Sequence, residues 1–464
     1  MKKFAFVIFV VALALLAGCM VGPNYKRPAV SVPKVYRGEV KPASVAPSIG
    51  TEKWWQVFRD PVLDKLIHTA VLQNYNVRIA AARVLQAQAE LGITRANQYP
   101  FASASAGVFS ERNPKISKVF PSYEVNAGHL SLSAIWDLDF WGKYRRETQA
   151  AQASLLATEW GQRAVLSSVV ASVAAAYFQL RSLDAQLAIA QRTLATRQES
   201  LKLTELLEKH GSSSQLAVSE AQQLVYTASE SIPDLQRQIE QQENLLSILL
   251  GENPGPIPRG QLITEQPEPA TVPAGLPSQL LERRPDIVEA EANLIAANAN
   301  IGVLKASLFP DISLTGTGGY ESYALNRLIT SPSELWNAAV NVTQPVFAAG
   351  ALRAGVRLAK AQWQEMVLTY RQTIQNAFEQ VSNALIAYQK DREYLEEQQK
   401  LVDAARKSDQ LSMVLYRNGG ASYLQVLATE TLYFSAELNL VQAQDNVRLS
   451  LVQLYQALGG GWQQ

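Results

Sequence analysis

Leu130-Ser131-Leu132-Ser133-Ala134-Ile135-Trp136-Asp137-Leu138-Asp139-Phe140 alternates apolar and polar residues with one break, at Ile135, and from Lys143 to about Lys209 the period becomes helical without a single proline. Alternation puts Leu130, Leu132, Ala134, Trp136, Leu138 and Phe140 on one face of a β-strand and Ser131, Ser133, Asp137 and Asp139 on the other. In the stretch that follows, Leu166, Val173, Leu180, Leu187, Leu194 and Leu201 recur every seventh residue, the seam of a coiled coil. Roughly 65 residues at ~1.5 Å rise make a rod of about 100 Å. That is far longer than a globular helix.

The same pattern is written a second time. Ala102, Ala104, Ala106 and Val108 alternate with Ser103, Ser105 and Gly107; Ile312 and Leu314 alternate with Ser313, Thr315 and Thr317; Trp336, Ala338, Val340 and Val342 alternate with Asn337, Asn341 and Thr343. Each half therefore supplies two strands. A second proline-free rod runs from Ala351 to about Arg417, with Ile374, Val381, Leu395 and Val402 in its seam and Tyr388 and Asp409 at two further seam positions. Leu91-Gly92-Ile93 and Pro100 match Ile301-Gly302-Val303 and Pro310, while Gly142, Gly211, Leu216, Val218 and Leu250-Gly251 match Gly350, Gly419, Leu424, Val426 and Leu458-Gly459. The rods turn back at His210–Ser214 and Asn418–Ser422, where Gly suits a helix C-cap and Ser caps the returning helix. Pro233 stands within the first returning helix, where the second has Val441. A shorter helix precedes each strand pair, Asp64–Gln98 and Asp286–Ser307, the latter with Pro285 at its start. The expected partition is a segment 1–18, an extended stretch 19–60, a first repeat 61–251, a proline-rich linker 252–275 and a second repeat 276–464.

The first segment reads as a signal peptide: Lys2 and Lys3 precede an unbroken apolar run, Phe4–Leu16, too short to span a bilayer. Leu16-Ala17-Gly18-Cys19 resembles a lipobox, which makes Cys19 a candidate acyl anchor. Several acyl chains at about 0.8 kcal/mol per buried methylene hold a protein on a membrane without a spanning helix. Met20 follows where an inner-membrane retention signal would have Asp, in keeping with export to the outer membrane.

Composition narrows the function. The chain has 464 residues, 42 Lys+Arg against 41 Asp+Glu, one Cys and three His. That balance lacks the basic footprint of a nucleic-acid binder, and neither a metal cluster nor a disulfide framework can be assembled. Gly316, Gly318 and Gly319 lie in a strand or turn instead of between a strand and a helix, so they do not make a phosphate cradle. No cofactor and no enzymatic activity are expected.

Aromatic residues flank the strands at Tyr99, Phe101, Phe109, Tyr123, Trp136, Phe140 and Trp141, and at Phe309, Tyr320, Tyr323, Trp336 and Phe347. Two-faced strands with aromatic ends suit a membrane barrel; in a soluble protein they would be pieces of a sandwich. Four strands cannot close a barrel, which needs about eight, so several copies must share one. The helical rods would extend that cylinder as a conduit lined by Gln, Ser, Thr and Asn, or else pack as a solid coiled-coil bundle in a structural lipoprotein. A periplasmic adaptor would leave the two strand pairs and the full repeat unexplained.

Cys19-Met20-Val21-Gly22-Pro23-Asn24-Tyr25, Trp54-Trp55, Phe58-Arg59-Asp60-Pro61, Leu276-Pro277-Ser278, Leu281-Glu282-Arg283-Arg284-Pro285-Asp286-Ile287, Glu289-Ala290-Glu291, Ala296-Ala297-Asn298-Ala299 and Phe309-Pro310-Asp311-Ile312-Ser313-Leu314-Thr315 together resemble the outer-membrane factors, the TolC-like channel-tunnels. The likeness is to the lipoprotein branch that serves tripartite multidrug efflux of the resistance-nodulation-division type. It covers nearly the whole chain after residue 18. The resemblance implies a homotrimer with a 12-stranded outer-membrane β-barrel, four strands per chain, continuous with a periplasmic helical barrel. It also implies a periplasmic adaptor and an inner-membrane transporter as partners, and passive conduction of drugs or other small molecules. A type I protein-secretion duct belongs to the same class.

That family closes its tunnel at the periplasmic tip with acidic side chains on the returning helix and a tyrosine on the helix before it. Tyr416 fits the tyrosine, but Gln425 and Ala428 stand where aspartates are usual. Glu220 and Glu430 are then the candidates for a negative constriction. The candidate adaptor contacts are Gly211, Ser214 and Leu216 at one tip and Gly419, Ser422 and Leu424 at the other.

Overall fold

The computed structural model describes residues 20–37, 54–114, 123–263 and 277–461. Cys19, the signal segment and the linker residues 264–276 lie outside them. In chain order the elements are α1 (Pro61–Gln73), α2 (Tyr75–Ala96), β1 (Phe101–Asn113), β2 (Tyr123–Asp137), α3 (Lys143–Lys209), α4 (Gln215–Leu250), α5 (Pro277–Arg283), α6 (Pro285–Ala306), β3 (Asp311–Ser322), β4 (Glu334–Thr343), α7 (Ala351–Arg417) and α8 (Tyr423–Ala457). The described residues form two compact units, one from within 20–29, 83–159 and 289–371, the other from within 30–82, 160–288 and 372–461. Each unit draws on both halves of the chain, so the sequence repeat is not the spatial unit.

In the first unit the strands make one antiparallel sheet in the order β1-β2-β3-β4. The expected strand through Phe140 ends at Asp137. Asp139 is the cause: its carboxylate accepts the backbone N–H groups of Tyr144 (3.1 Å) and Arg145 (2.9 Å), so it caps the first turn of α3 instead of facing outward from a strand. Trp141 donates its indole N–H to the carbonyl of Pro310 at 2.9 Å and stacks on Phe309. The leader is strapped to this unit. Glu291 accepts from Tyr25 Oη (3.0 Å) and from Arg27 Nε and Nη2 (2.6 Å each), and Asn298 donates to the carbonyl of Pro23. Buried Arg146 binds the carbonyl of Val21 and the side chain of Asn24. A Cβ on Gly22 would lie 2.5 Å from the Cα of Gly302, so glycine at this crossing lets two backbones touch.

In the second unit, the single helix expected over Asp64–Gln98 is broken at Asn74. Its carboxamide oxygen accepts the N–H of Asn76 (2.8 Å), capping α2, and its amide nitrogen donates to the carbonyl of Leu249 at 2.7 Å. Helical periodicity continues across such a break and does not reveal it. Helix α4 runs through Pro233, and ends at Gly251 with φ 77°.

Asp60 holds this unit together from three directions. Its side chain accepts the N–H groups of Val62 (2.9 Å) and Leu63 (3.3 Å) at the start of α1, and the hydroxyl of Tyr177 on α3 (2.7 Å). Tyr177 Oη in turn accepts the N–H of Gly260. Burial, then the Asp60 carboxylate, raises the Tyr177 hydroxyl well above its ordinary value. Asp60→Ala is expected to cost about 2–4 kcal/mol, from a lost cap and a stranded buried hydroxyl. Thermal unfolding of the purified oligomer checks it; an unchanged midpoint would contradict this role, and Asp60→Asn should lose less.

Candidate channel wall and helical tips

Strand register sorts the sheet into two unlike faces. Ala104 pairs with Leu132, Leu132 with Gly318, and Gly318 with Trp336, and the same row of positions carries Ala102, Ala106, Val108, Leu130, Ala134, Trp136, Leu314, Val340 and Val342. The other face pairs Ser105 with Ser131, Ser133 with Thr317, and Thr315 with Ala339. Hydroxyls and amides bond across it: Ser105 to Ser131 (2.9 Å), Ser133 to Thr317 (3.1 Å), and Asn341 donating to Thr315 (3.2 Å). Trp336 is 82% exposed and Val340 66%. An apolar face of this size, left uncovered by its own chain, is what a lipid-facing wall requires, and the hydroxyls and amides at the middle of the other face, with Glu111, Asp137, Asp311 and Glu321 towards its ends, suit a water-filled passage. Among the described residues nothing pairs with the outer edges of β1 and β4. In hydrocarbon those edge groups need strand partners.

Both helical turns are built alike. Gly211 (φ 74°) and Gly419 (φ 71°) close them, with Ser212 N–H bonded to the carbonyl of Leu207 and Gly420 N–H to that of Leu415, both at 2.8 Å. Ser214 caps α4 through its hydroxyl, which accepts the N–H of Ala217, whereas Ser422 precedes α8 without a side-chain cap bond. Two residues beyond each serine, Leu216 and Leu424 are exposed. Behind the turns, four helices share a small core of Ala217, Ala221, Tyr423 and Val426, with Leu201, Met413 and Tyr416 against it. Tyr416 meets Tyr423 edge-on, ring centroids 5.2 Å apart.

The candidate gate residues separate. Gln425 is exposed on α8, as is Ala428, and Glu220 on α4 is half-buried. Glu430 is turned into the helix packing at 8% exposure, with no hydrogen-bond partner for Oε2 among the described residues. Burial, then Asp409, pushes its carboxyl up to about 7, against the pull of Arg197. Sequence reasoning missed Arg197, which is buried beside this carboxylate. The available signal was Asp409, a charged residue at a position of the heptad seam.

These features have counterparts in known proteins. The chain matches the model of the outer membrane efflux protein family over residues 66–252 and 276–460. It is 36% identical over 461 residues to the cation efflux system protein CusC of Escherichia coli O6:H1, covering 98% of each chain. It is also 36% identical over 459 residues to the solvent efflux pump outer membrane protein SrpC of Pseudomonas putida, covering 97% of each. The open-state structure of the Neisseria gonorrhoeae MtrE outer membrane channel superposes with a TM-score of 0.87 at 30% identity, over 96% of this chain and 99% of that one. With a two-faced sheet and long paired helices matched along nearly its whole length, the chain belongs to the outer membrane efflux protein family and is an outer-membrane exit channel of an efflux system, not an enzyme.

Proposed function

We propose that three copies of this chain close one barrel, each contributing β1 to β4, and that the assembly is a passive exit duct for small molecules or ions. The observation that carries this is the sheet itself, apolar on one face, polar through the middle of the other, with two open edges. Cys19 carries the acyl anchor in the outer membrane, a reading supported by the lipobox at Leu16–Cys19. Energy comes from an inner-membrane transporter, and a periplasmic adaptor docks on the two turns.

The exposed Leu216 and Leu424, each next to a small, open turn, support docking of that adaptor at the tips. Gln425 and Ala428, with Glu220 on the neighbouring hairpin, are the side chains that narrow the passage there, and Tyr416 stiffens the turn behind them. Introducing Glu at both Ser214 and Ser422 should bring efflux in cells down to the level of a strain lacking the channel. The oligomer in the outer membrane, read by native mass spectrometry, should remain a trimer. Full efflux in that variant would sink the docking reading, and any mass other than three chains would sink the trimer. Glu220→Gln should lower cation preference in single-channel recordings; an unchanged reversal potential removes Glu220 from the constriction.

A further inference from the structure

A polar layer lies immediately behind the apolar core of the tip. Arg197 of α3 is 2% exposed. Its Nη1 donates to the carbonyl of Leu224 on α4 at 2.9 Å, and its guanidinium lies over the ring of Phe434 on α8 at 5.0 Å. Its Nε and Nη2 have no hydrogen-bond partner among the described residues, and neither do Asp409 Oδ1 on α7 and Glu430 Oε2 on α8. A buried ion pair that served only to hold helices together would use the arginine fork on a carboxylate. Here Arg197 and Glu430 are buried and Asp409 is half-buried with its Oδ1 shielded, and four of their polar atoms are left over among the described residues. With both carboxylates ionised, Asp409 repels the buried Glu430 while both draw on Arg197 as counter-ion, which disfavours the doubly ionised layer.

We propose that Arg197, Asp409 and Glu430 form a proton-operated latch between the two helical hairpins of one chain, packed when Glu430 is protonated and loosened when it ionises. The neighbouring groups leave Glu430 as the member that switches. Tyr423 on the same helix meets Thr204 of α3, and Glu437 is taken up by Arg192 of α3 and by Tyr433, which also contacts Arg406 of α7. Asp409 and Arg197 therefore face Glu430 from α7 and α3, while α4 offers the backbone carbonyl of Leu224, already engaged by Arg197.

The sign follows from burial. Glu430 is held up near 7, and Asp409 is raised too, by burial first and against the pull of Arg197. The packed layer therefore keeps a proton that a loosened, hydrated layer would release. Packing is strongest in acid and is lost as pH rises from the ordinary carboxylate range through about 7. Arg197 and Asp409 are positioning residues; neither touches cargo.

Hydrogen–deuterium exchange on the intact, detergent-solubilised oligomer tests this, with protection corrected for the pH dependence of free-chain exchange. Protection of peptides spanning residues 197–224 and 405–434 should fall by about tenfold or more between pH 5 and pH 7.5. Asp445, buried elsewhere on α8 and also pushed up to about 7, adds pH dependence of its own, so the tip peptides are compared with those around residue 445. In Glu430→Gln the tip peptides should hold the acid value at every pH. In Asp409→Asn, with the like charge removed, the midpoint should move to lower pH. A tip insensitive to pH, or a dependence that survives Glu430→Gln, overturns the latch. The opening of the channel by this latch rests on closure at the tip, so conductance is recorded on the same samples. Protection that follows pH while conductance does not would leave the latch standing and remove the tip as the gate.

Discussion

Leu132→Arg is expected to abolish the assembled channel in the outer membrane, whereas Ser131→Arg, one residue away, leaves it assembled. Leu132 lies mid-strand on the apolar face between Ala104 and Gly318; Ser131 lies on the polar face between Ser105 and Gly319. An arginine facing lipid at the bilayer midplane costs about 2–4 kcal/mol, and a trimer carries the cost three times. On the polar face the guanidinium stays in water and changes only the charge of the passage. Outer-membrane fractionation with a heat-modifiability gel checks both variants together. Equal assembly of the two, or the reverse order, would mean that lipid and water are assigned to the wrong sides.

Gly319→Val is expected to block pairing of β2 with β3, and Gly318→Val to be nearly silent. A Cβ on Gly319 would stand 2.2 Å from the carbonyl oxygen of Leu130 and 2.7 Å from the Cα of Ser131, so backbone must move. Nothing lies within 4 Å of a Cβ on Gly318. Forcing two backbones apart in a sheet costs about 3 kcal/mol or more, and a one-residue slip to avoid it would turn every side chain to the other face. The readout is the yield of folded oligomer after refolding into detergent micelles. A folded Gly319→Val protein with wild-type yield would refute the register.

The distribution of what the sequence discloses follows range. Helices α3 and α7 are bounded by local signals, the absence of proline and glycines that adopt positive φ at Gly142, Gly211, Gly350 and Gly419, so their starts at Lys143 and Ala351 and their approximate ends are legible in the sequence. The two faces of each strand were equally local, since a period of two is visible within eight residues. What escaped depends on partners distant in sequence. Asn74 breaks a helix because Leu249 offers a carbonyl, and Asp139 reads as a strand residue until the N–H groups of Tyr144 and Arg145 turn onto it. The leader clamp needs Glu291 and Arg146 from two separate helices. Glu430 reads as an acidic residue near a tip, but its direction is set by helix rotation within the four-helix packing. The sequence shows a solvated face and a buried one with equal ease when Leu, Ala and Glu alternate around them.

Single-channel conductance in planar bilayers, with the mass of the same detergent-solubilised sample determined alongside, decides whether this chain forms a conducting pore. Discrete openings from a species of three chains are the predicted result. A homogeneous species of one or two chains that never conducts would contradict it.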